Sequence, residues 1–394
     1  MTPEARIAAA IEILDEIFSG VPAERALSSW ARGHRFAGSG DRAALRDHVF
    51  DALRCRRSFA ALGGAETGRG VMIGALRAAG RDPVDLFTGL GHAPPPLGPD
   101  DGEGQVPPPD SATALDCPDW LLDDLHQSLG QTCLPVLRAM RQRAPIFLRV
   151  NLRLADLTSA QEQLATEQIV TEPSPLSPSA LEVVSGARRI RGSKALASGM
   201  IELQDAASQA VSDLVPLGDG QRMLDYCAGG GGKTLAVGGR VRGKFFVHDI
   251  EPRRMSDLPV RAARAKVTVT PVSGAAVDRA APYDVVLVDA PCSGSGSWRR
   301  DPQGKWALTR DRLNDLTEVQ AQILDRVAAL TAPSGQIVYM TCSLLDAENQ
   351  AQVDAFLNRH PGWTCSLRRW FTPLQQGDGF FAARLTAPDR TNTL

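Results

Sequence analysis

The spacing of apolar residues divides the chain into a helical first part and a mixed second part. From residue 4 to about residue 90, apolar residues recur at intervals of three and four, which places them on one face of a helix. The first such stripe contains Ile7, Ile11, Leu14 and Phe18. The sequence Ser39-Gly40-Asp41 offers N-cap side chains for a further helix, whose stripe contains Leu45, Val49 and Leu53. We therefore predict an all-α unit over residues 1–92.

A proline-rich stretch follows this helical part. Residues 93–110 read APPPLGPDDGEGQVPPPD, and proline excludes both a helix interior and a central strand. We interpret residues 93–112 as an extended Pro/Gly-rich linker. Beyond it, the pattern predicts a helix over residues 118–143, a strand over residues 145–151 and a helix over residues 157–169. These elements indicate a small α+β unit over residues 113–200.

From about residue 201, short apolar runs alternate with helical stretches. The predicted strands are residues 222–226, 244–249, 266–270, 283–289 and 335–341. Continuous apolar strands separated by helices are typical of a parallel sheet that is covered on both faces. Ligands of such α/β folds bind beyond the carboxyl ends of the strands. We therefore predict a ligand-binding α/β domain over residues 201–387.

Composition narrows the class of protein. The chain has 394 residues, of which 43% are hydrophobic and 22% charged, and it has no apolar run of the roughly 18 residues that a membrane span needs. The N-terminus does not resemble a secretory signal, so we expect a cytoplasmic protein without a membrane partner. The seven cysteines include no CxxC pair, which argues against a disulfide framework and against a metal site. No obligate protein partner is inferred.

Charge gives only local evidence for a nucleic-acid partner. The formal net charge is -2, but residues 32–57 contain seven arginines and three acidic residues. Such an excess of positive charge suits contacts with RNA phosphates, and reversing the charges of Arg54, Arg56 and Arg57 is then expected to weaken RNA binding. The alternative interpretation is an ordinary solvated helix face.

The stretch DYCAGGGGKT, residues 225–234, contains a glycine-rich loop between a strand and a helix. A Walker A loop requires glycine where this chain has Cys227, and a dinucleotide fingerprint requires glycine at Thr234 or Leu235. Both phosphate-binding interpretations therefore fail. Glycines permit close backbone approach to a ligand, and Asp249 at the end of the next strand is placed to bind a ribose diol. A nucleoside with a charged amino-acid tail in place of phosphates, S-adenosylmethionine, fits these features.

Two cysteines and one acidic residue follow the last two predicted strands. Asp289 and Cys292 end one strand, and Cys342 ends the other. Carbon 5 of cytosine becomes nucleophilic after a thiolate adds to carbon 6, and a carboxylic group near ring N3 assists that addition. A second thiol near the ring can assist product release. The residues therefore suit methyl transfer to cytosine.

These motifs resemble those of the RsmB/NOP-type RNA (cytosine-C5) methyltransferase family. The resemblance rests on LQDAASQAV, DYCAGGGGKT, DAPCSGSGSWRRDPQGKW, YMTCSLLDAENQ and GDGFFAARL, which lie in the family's order between residues 203 and 385. It implies an α/β class I S-adenosylmethionine-dependent methyltransferase with a Rossmann-like, mostly parallel sheet. Residues 5–90 resemble the NusB-like helical RNA-binding domain of members that act on 16S rRNA, and the small α+β unit resembles an RNA-recognition-like element.

The resemblance implies a role for each site residue. Cys342 corresponds to the nucleophile, Cys292 to the residue that assists release, and Asp289 to a contact with the target base and with the methionine end of the cofactor. Lys233 and the loop hold the cofactor, Asp249 binds its ribose, and Arg254 keeps the family's spacing after that acid. The loop residues are Cys227, Ala228, Gly229, Gly230, Gly231 and Gly232.

Three positions differ from the family's pattern. Gly229 stands where proline is usual, which predicts a loop that is more mobile when empty. The acidic residue that commonly binds the adenine amino group is not evident, so Ser273 is the candidate in its place, with Asp278 further on. Gln303 stands where an acidic residue is usual. These differences put the adenine site in doubt and leave the two thiols and Asp289 in place.

Three functions remain open at this point. The first is methylation of cytosine C5 in RNA, with 16S rRNA as the expected substrate. The second is a tRNA cytosine-C5 methyltransferase on the same scaffold, and the third is an inactive RNA-binding ribosome-assembly factor. A DNA cytosine methyltransferase is disfavoured, because it would use the thiol of the Pro-Cys motif and would not need Cys342.

Overall fold

Two compact units make up the part of the chain that the structure describes, residues 1–99 and 101–389. In this computed structural model, the first unit contains Met1–Arg143 together with Trp298–Ala307. The second contains Ala144–Ser297 and continues from Leu308. The first unit is therefore built from two stretches that lie far apart in the sequence, and the expected division into four consecutive domains stays a prediction.

The first unit is helical, as the apolar spacing predicts. Its helices are α1 (Pro3–Phe18), α2 (Ala23–Gly33), α3 (Ser39–Arg54), α4 (Arg56–Gly63), α5 (Gly68–Ala78), α6 (Asp119–Leu129) and α7 (Cys133–Met140). The expected N-cap sequence does begin α3, where the Asp41 side chain accepts a hydrogen bond from the Gly38 backbone at 3.2 Å. The single helix expected over residues 118–143 is two helices, because a short 3-10 turn at Gly130–Thr132 separates α6 from α7.

The proline-rich stretch contains no helix or strand among its described residues, as its composition predicts. It nevertheless packs on the helices. The Gln105 backbone donates to the carbonyl of Ala61 at 2.7 Å, and Arg69 of α5 forms an ion pair with Asp101 at 2.6 Å. These contacts show that the stretch lies on the helical unit along part of its length.

A four-stranded antiparallel sheet begins the second unit. Its strands are β1 (Phe147–Val150), β2 (Val170–Pro173), β3 (Ala180–Ser185) and β4 (Ile201–Leu203), in the order β2-β3-β1-β4. The accompanying helices are α8 (Leu157–Thr166), α9 (Lys194–Ala197) and α10 (Ala206–Asp213). On one face Leu148 packs in a cluster with Leu164 of α8, and on the other Phe147 packs with Ala206 of α10. All four residues of β1 are buried, so neither face of this strand is open to solvent.

A seven-stranded sheet forms the centre of the second unit. Its strands are β5 (Arg222–Asp225), β6 (Lys244–Val247), β7 (Val269–Pro271), β8 (Tyr283–Asp289), β9 (Thr331–Thr341), β10 (Thr364–Phe371) and β11 (Phe380–Thr386). The order is β10-β11-β9-β8-β5-β6-β7, with β5 to β9 parallel and β10 and β11 antiparallel. The five predicted parallel strands are confirmed, whereas the pattern did not predict β10 and β11.

Helices cover both faces of the large sheet. The helices of the second unit that follow its strands are α11 (Gly232–Gly238), α12 (Leu258–Ala265), α13 (Ala275–Arg279), α15 (Arg310–Ala328) and α16 (Gln350–Arg359), whereas α14 (Pro302–Ala307) belongs to the first unit. Consecutive residues of β5 enter different apolar clusters: Met223 packs with Leu235 of α11, and Leu224 packs in the cluster that contains Leu324 of α15. This arrangement is the doubly covered parallel sheet that the apolar runs predict. No helix in the described residues is long and apolar enough to cross a membrane.

The stretch Trp298–Ala307, which contains α14, completes the helical unit at the end of α3. Lys305 Nζ donates to the carbonyl of Arg54 at 3.1 Å, and Trp306 Nε1 donates to the carbonyl of Leu53 at 2.6 Å. The last carbonyls of a helix lack partners within the helix, and a cation there also interacts favourably with the helix dipole. Burial lowers the pKa of Lys305 to about 8. Gln303 binds the backbone of Val21 and Ala23 nearby.

Candidate functional site

The carboxyl ends of five parallel strands bring the sequence-predicted site residues to one edge of the large sheet. The glycine-rich loop follows β5, Asp249 follows β6, and Ser273 follows β7. Asp289 is the last residue of β8, with Cys292 three residues later, and Cys342 directly follows β9. The site lies entirely within the second unit.

Two glycines of the loop have backbone conformations that exclude most other residues. Gly229 has φ 48° and Gly231 has φ 73°, both in the left-handed region. A Cβ atom on Gly231 would also come within 2.2 Å of a methyl group of Leu258. Gly231 is the N-cap residue of α11, so the close approach of loop and α12 depends on the missing side chain.

Gly229 has a backbone conformation that the proline usual at this position could not adopt. Proline fixes φ near −65°, which is incompatible with the observed φ of 48°. The Gly229 backbone N–H, which proline lacks, donates to Asp249 Oδ2 at 2.9 Å in a buried hydrogen bond. The expectation of a more mobile loop stays a prediction, and the hydrogen bond to Asp249 is a restraint that a proline at this position could not provide.

Asp249 is buried and has partners on both oxygens. Oδ1 accepts a hydrogen bond from the Glu251 backbone at 2.9 Å, and Oδ2 lies 3.3 Å from an Arg254 guanidinium nitrogen. The residue that follows, Ile250, is 88% exposed beside this carboxylate. Ser273 is exposed after β7. The structure thus links the predicted residues Asp249 and Arg254 directly to the glycine loop.

Lys233 and Asp289 form an ion pair at the centre of the site. Lys233 Nζ lies 2.6 Å from Asp289 Oδ2, and 5.0 Å from the ring centre of Phe380. Burial alone would lower the pKa of Lys233, but the Asp289 carboxylate outweighs it, so this pKa is raised and the side chain stays charged. The side chain of Asp289 is 34% exposed, so it can contact a ligand as well as the lysine.

The thiols of Cys292 and Cys342 are in contact, and their pKa values are shifted in opposite directions. The Sγ atoms of Cys292 and Cys342 lie 3.5 Å apart. The hydrogen bond between them lowers the pKa of Cys342 against the effects of burial and of the Asp289 carboxylate, and the Lys233 ammonium adds a smaller lowering. The same hydrogen bond, together with burial, raises the pKa of Cys292. Cys342 is therefore the thiol that ionises first, and Cys292 is the neutral donor to it.

Two further groups in the loop region are buried. Burial raises the pKa of the Cys227 thiol, which disfavours its reactive thiolate form. Burial also raises the pKa of Asp225 to about 7. Asp225 Oδ2 accepts a hydrogen bond from Thr234 at 2.6 Å, whereas Oδ1 has no hydrogen-bond donor among the described residues.

Two arginines that the sequence patterns did not predict donate hydrogen bonds to backbone carbonyls of the glycine-rich loop. Arg149 of β1 donates to the carbonyl of Gly232 at 2.8 Å, and Arg261 of α12 donates to the carbonyl of Gly230 at 2.5 Å. Gln204, within the LQDAASQAV motif, bonds Arg149 through its side-chain oxygen. Arg149 is only 4% exposed, and a buried arginine inside the apolar strand FLRV is the sequence signal that could have identified it.

Side chains suited to metal binding do not gather in the described residues, where no group of three or more histidine, cysteine or acidic residues could hold an ion.

Family comparisons match two parts of the chain. Residues 213–393 match the family described as 16S rRNA methyltransferase RsmB/F, and residues 117–188 match the ferredoxin-like domain of RsmF/B-like methyltransferases. A curated relative, ribosomal RNA small subunit methyltransferase B of Yersinia pestis bv. Antiqua (strain Angola), is 32% identical over 286 residues. That alignment covers 68% of this chain and 66% of the relative, so it spans about two thirds of each.

Solved structures share the fold at lower identity. The crystal structure of PH0851 has a TM-score of 0.76 and 23% sequence identity, and the match covers 98% of this chain and 99% of that one. A methyltransferase homolog protein from Pyrococcus horikoshii has a TM-score of 0.62 and 21% identity, over 70% of this chain and 97% of that one. At these identities the likeness concerns the fold.

Proposed function

Because the chain belongs to the RsmB/NOP-type methyltransferase family, we propose that it transfers a methyl group from S-adenosylmethionine to carbon 5 of a cytosine in RNA. The observation that carries this proposal is the 3.5 Å contact between the Cys292 and Cys342 Sγ atoms beside the Lys233–Asp289 ion pair. A thiol that ionises readily, a second thiol that can donate to it and a carboxyl group are suited to forming and then breaking a covalent bond to cytosine.

The residues at the sheet edge fit S-adenosylmethionine. A glycine loop with no side chains leaves space along its backbone, and the buried Asp249 carboxylate can accept hydrogen bonds from a ribose diol once Arg254 gives way. Ile250 offers an exposed apolar side chain for the flat face of a base. Lys233 and Asp289 supply opposite charges for a zwitterionic amino-acid end. When bound, the cofactor supplies an electrophilic methyl group on its sulfonium.

Addition to the cytosine ring is assigned to Cys342. Its thiolate forms a bond to carbon 6, and the displaced ring electrons reach N3, which takes a proton from the carboxyl of Asp289 as the Lys233 ammonium, 2.6 Å away, returns a proton to that carboxylate. The hydrogen bond from Cys292 and, after it, the Lys233 ammonium favour the thiolate before attack, whereas burial and the Asp289 charge oppose it. Carbon 5 then has the character of an enamine carbon and would accept the methyl group, with the electron pair of the broken bond staying on the donor sulfur.

Release requires the same bond to break. The proton on carbon 5 leaves to a general base, the double bond between carbons 5 and 6 re-forms, and the electron pair of the C6–S bond returns to Cys342. A thiolate that receives a hydrogen bond from a neighbouring thiol is a better leaving group, since the hydrogen bond stabilises its charge. Cys292 is assigned this role, which accounts for two cysteines in one site.

The proposed substrate is 16S rRNA, supported by the relative that is named a ribosomal RNA small subunit methyltransferase and by the matching family description. Bisulfite sequencing of total RNA from cells that lack the protein tests this point. A single unconverted cytosine in 16S rRNA should become convertible when the gene is removed. A change confined to tRNA would favour the tRNA alternative, and unchanged RNA would favour the inactive assembly factor.

Cysteine variants test the chemistry on the purified protein with RNA and methyl donor. Cys342→Ala should lose methyl transfer and the covalent adduct together, whereas Cys292→Ala should accumulate an adduct that migrates slowly on a denaturing gel. Cys365→Ala on β10 is the matched control, since its thiol donates to the carbonyl of Leu367 on the same strand and packs on the apolar core, away from the two site thiols. Near wild-type turnover by Cys342→Ala, or an adduct-free Cys292→Ala that forms product normally, would refute the assigned roles.

A further inference from the structure

A buried carboxylate joins the two cysteine loops. Glu348 lies in the 3-10 turn Asp346–Glu348 after β9, and it is 0% exposed. Ser293 follows Cys292 in one loop, and Ser343 follows Cys342 in the other. The Glu348 carboxylate lies between these two serines, directly behind the pair of thiols.

The carboxylate accepts four hydrogen bonds, three from the two cysteine loops and one from Gln320 of α15. Oε1 accepts from the Ser293 backbone at 2.8 Å and from Gln320 Nε2 at 3.1 Å. Oε2 accepts from the hydroxyl of Ser293 at 2.5 Å and from the hydroxyl of Ser343 at 2.5 Å. A buried ionised carboxylate is costly unless its oxygens are satisfied, and these donors satisfy both of them.

Neighbouring contacts fix Glu348 itself. Tyr339 of β9 donates its hydroxyl to the Glu348 carbonyl at 2.6 Å. The next residue, Asn349, accepts a hydrogen bond from Thr341 at 2.5 Å and donates to the carbonyl of Ser343 at 2.9 Å. The carboxylate is thus a fixed point, and the two serine-bearing loops are attached to it.

We propose that Glu348 is a positioning residue that holds the two cysteine loops in register, so that Cys292 Sγ stays in hydrogen-bonding contact with Cys342 Sγ during product release. This inference rests on the proposed cytosine methylation. The carboxylate touches neither thiol in the hydrogen-bond network, and it acts through Ser293 and Ser343.

The charge of Glu348 also distinguishes the two thiols. After the hydrogen bond to Cys342, burial and the charge of that partner, the Glu348 carboxylate is a further cause that raises the pKa of Cys292. The pKa of Cys342 is lowered chiefly by the hydrogen bond from Cys292, while the charges of Asp289 and Lys233 act on it in opposite directions. The fixed negative charge of Glu348 therefore favours a neutral Cys292 as the donor to Cys342.

A disulfide-trapping experiment tests the positioning without RNA or methyl donor. Diamide takes two electrons and two protons from a pair of adjacent thiols, which become a disulfide, and the rate depends on how often the Sγ atoms meet. In full-length protein we expect Glu348→Gln and Ser343→Ala to slow formation of the Cys292–Cys342 disulfide at least about tenfold. Asp354→Asn, which changes an exposed ion pair on α16, is the control and should trap at the wild-type rate.

An adduct assay tests the consequence for release. With RNA and S-adenosylmethionine, Glu348→Gln should accumulate the covalent adduct and lose kcat at unchanged KM for the methyl donor. Trapping at the wild-type rate, turnover at the wild-type rate, or loss of activity without any adduct would each overturn the proposal. Ser343→Ala removes only the hydrogen bond from the Ser343 hydroxyl to Glu348, and it replaces Glu348→Gln in both assays if that variant does not fold. If wild-type protein transfers no methyl group to RNA and Cys292→Ala forms no adduct, the proposed function fails, and the trapping rates still decide whether Glu348 positions the thiols.

Discussion

Single residues decide how the cofactor loop is held. The left-handed Gly229 gives its N–H to Asp249, and the same carboxylate oxygen lies near Arg254. A carboxylate oxygen accommodates about two donors, so a ribose hydroxyl has to displace the arginine or use the remaining capacity of Oδ1. Asp249 is therefore both a support of the loop and the acceptor proposed for the ligand.

Replacing Asp249 tests this double use. Asp249→Asn keeps the size of the side chain but removes its charge, so we expect S-adenosylmethionine to bind roughly 10- to 100-fold more weakly by isothermal titration calorimetry. The control is Asp257→Asn. Asp257 precedes α12, and its exposed side chain makes no capping hydrogen bond. Equal affinity in wild type and Asp249→Asn would place the ribose contact elsewhere.

At this scale the sequence predicted which residues meet but not how they bond. The strand-end rule brought Asp249, Asp289, Cys292 and Cys342 to one edge, because parallel strands end together. It could not predict that Gly229 adopts φ 48°, since glycine permits either sign of φ. Nor could it predict Arg149 or Glu348, whose partners lie 83 and 55 residues away in the chain.

The arginines that are exposed in the structure are not those for which the sequence predicted RNA contacts. Arg54 is 6% exposed and donates to the carbonyl of Arg299, Arg56 pairs with Glu66, and Arg57 pairs with Asp119. These arginines thus have internal partners. By contrast, the 3-10 helix Ala187–Gly192 of the second unit exposes its arginines, while its Ile190 is buried. Because the sheet beside it has both faces of β1 covered, we expect RNA phosphates to contact these exposed arginines rather than the sheet.

Charge-reversal variants distinguish the 3-10 helix Ala187–Gly192 from the helical unit as the site of RNA contacts. A plot of log K for RNA binding against log salt has a negative slope, and each phosphate contact that is lost reduces the steepness of this slope by roughly 0.7 to 0.9. We expect the Arg188→Glu/Arg191→Glu double variant to reduce the slope for RNA binding by about one or more, measured by filter binding from low to moderate salt. Arg57→Glu should leave the slope unchanged. The reverse pattern would restore the sequence expectation for the helical unit.

Elements with a regular apolar period were predictable, and edge elements were not. β8 reads YDVVLVD and was predicted within its observed bounds, because its buried core demands continuous apolar residues. β10 reads TCSLRRWF, and most of its residues are exposed or half-buried at the edge of the sheet. Such a strand is specified by its pairing with β11, which a local pattern does not contain.

On the scale of the whole molecule, the helical unit is discontinuous in sequence. Lys305 and Trp306 supply the hydrogen bonds at the end of α3, although they lie about 250 residues beyond it. A fragment of residues 1–143 lacks these donors and uncovers the carbonyls that they bind. Composition indicated a domain boundary near the proline-rich stretch, and it gave no sign that a later segment belongs to the first unit.

The missing segment should bind when it is supplied separately. We expect the fragment of residues 1–143 to melt at least about 5 °C higher when a synthetic peptide of residues 298–307 is present in excess, because ligands of the folded state stabilise it. The peptide with Lys305→Gln and Trp306→Ala is the matched control and should give a much smaller shift, measured by differential scanning calorimetry. Equal shifts from both peptides would show that these two side chains do not make the contact.

The placement of residues 298–307 also sets an order of events during synthesis. A chain emerging from the ribosome exposes residues 1–143 long before Lys305 and Trp306 exist, and at roughly 5–20 residues per second the interval is on the order of ten to thirty seconds. During that time α3 ends without its final partners. The first unit is therefore completed only after β1 to β8 of the second unit have been made, and its completion reports that the loop carrying Cys292 has already been made.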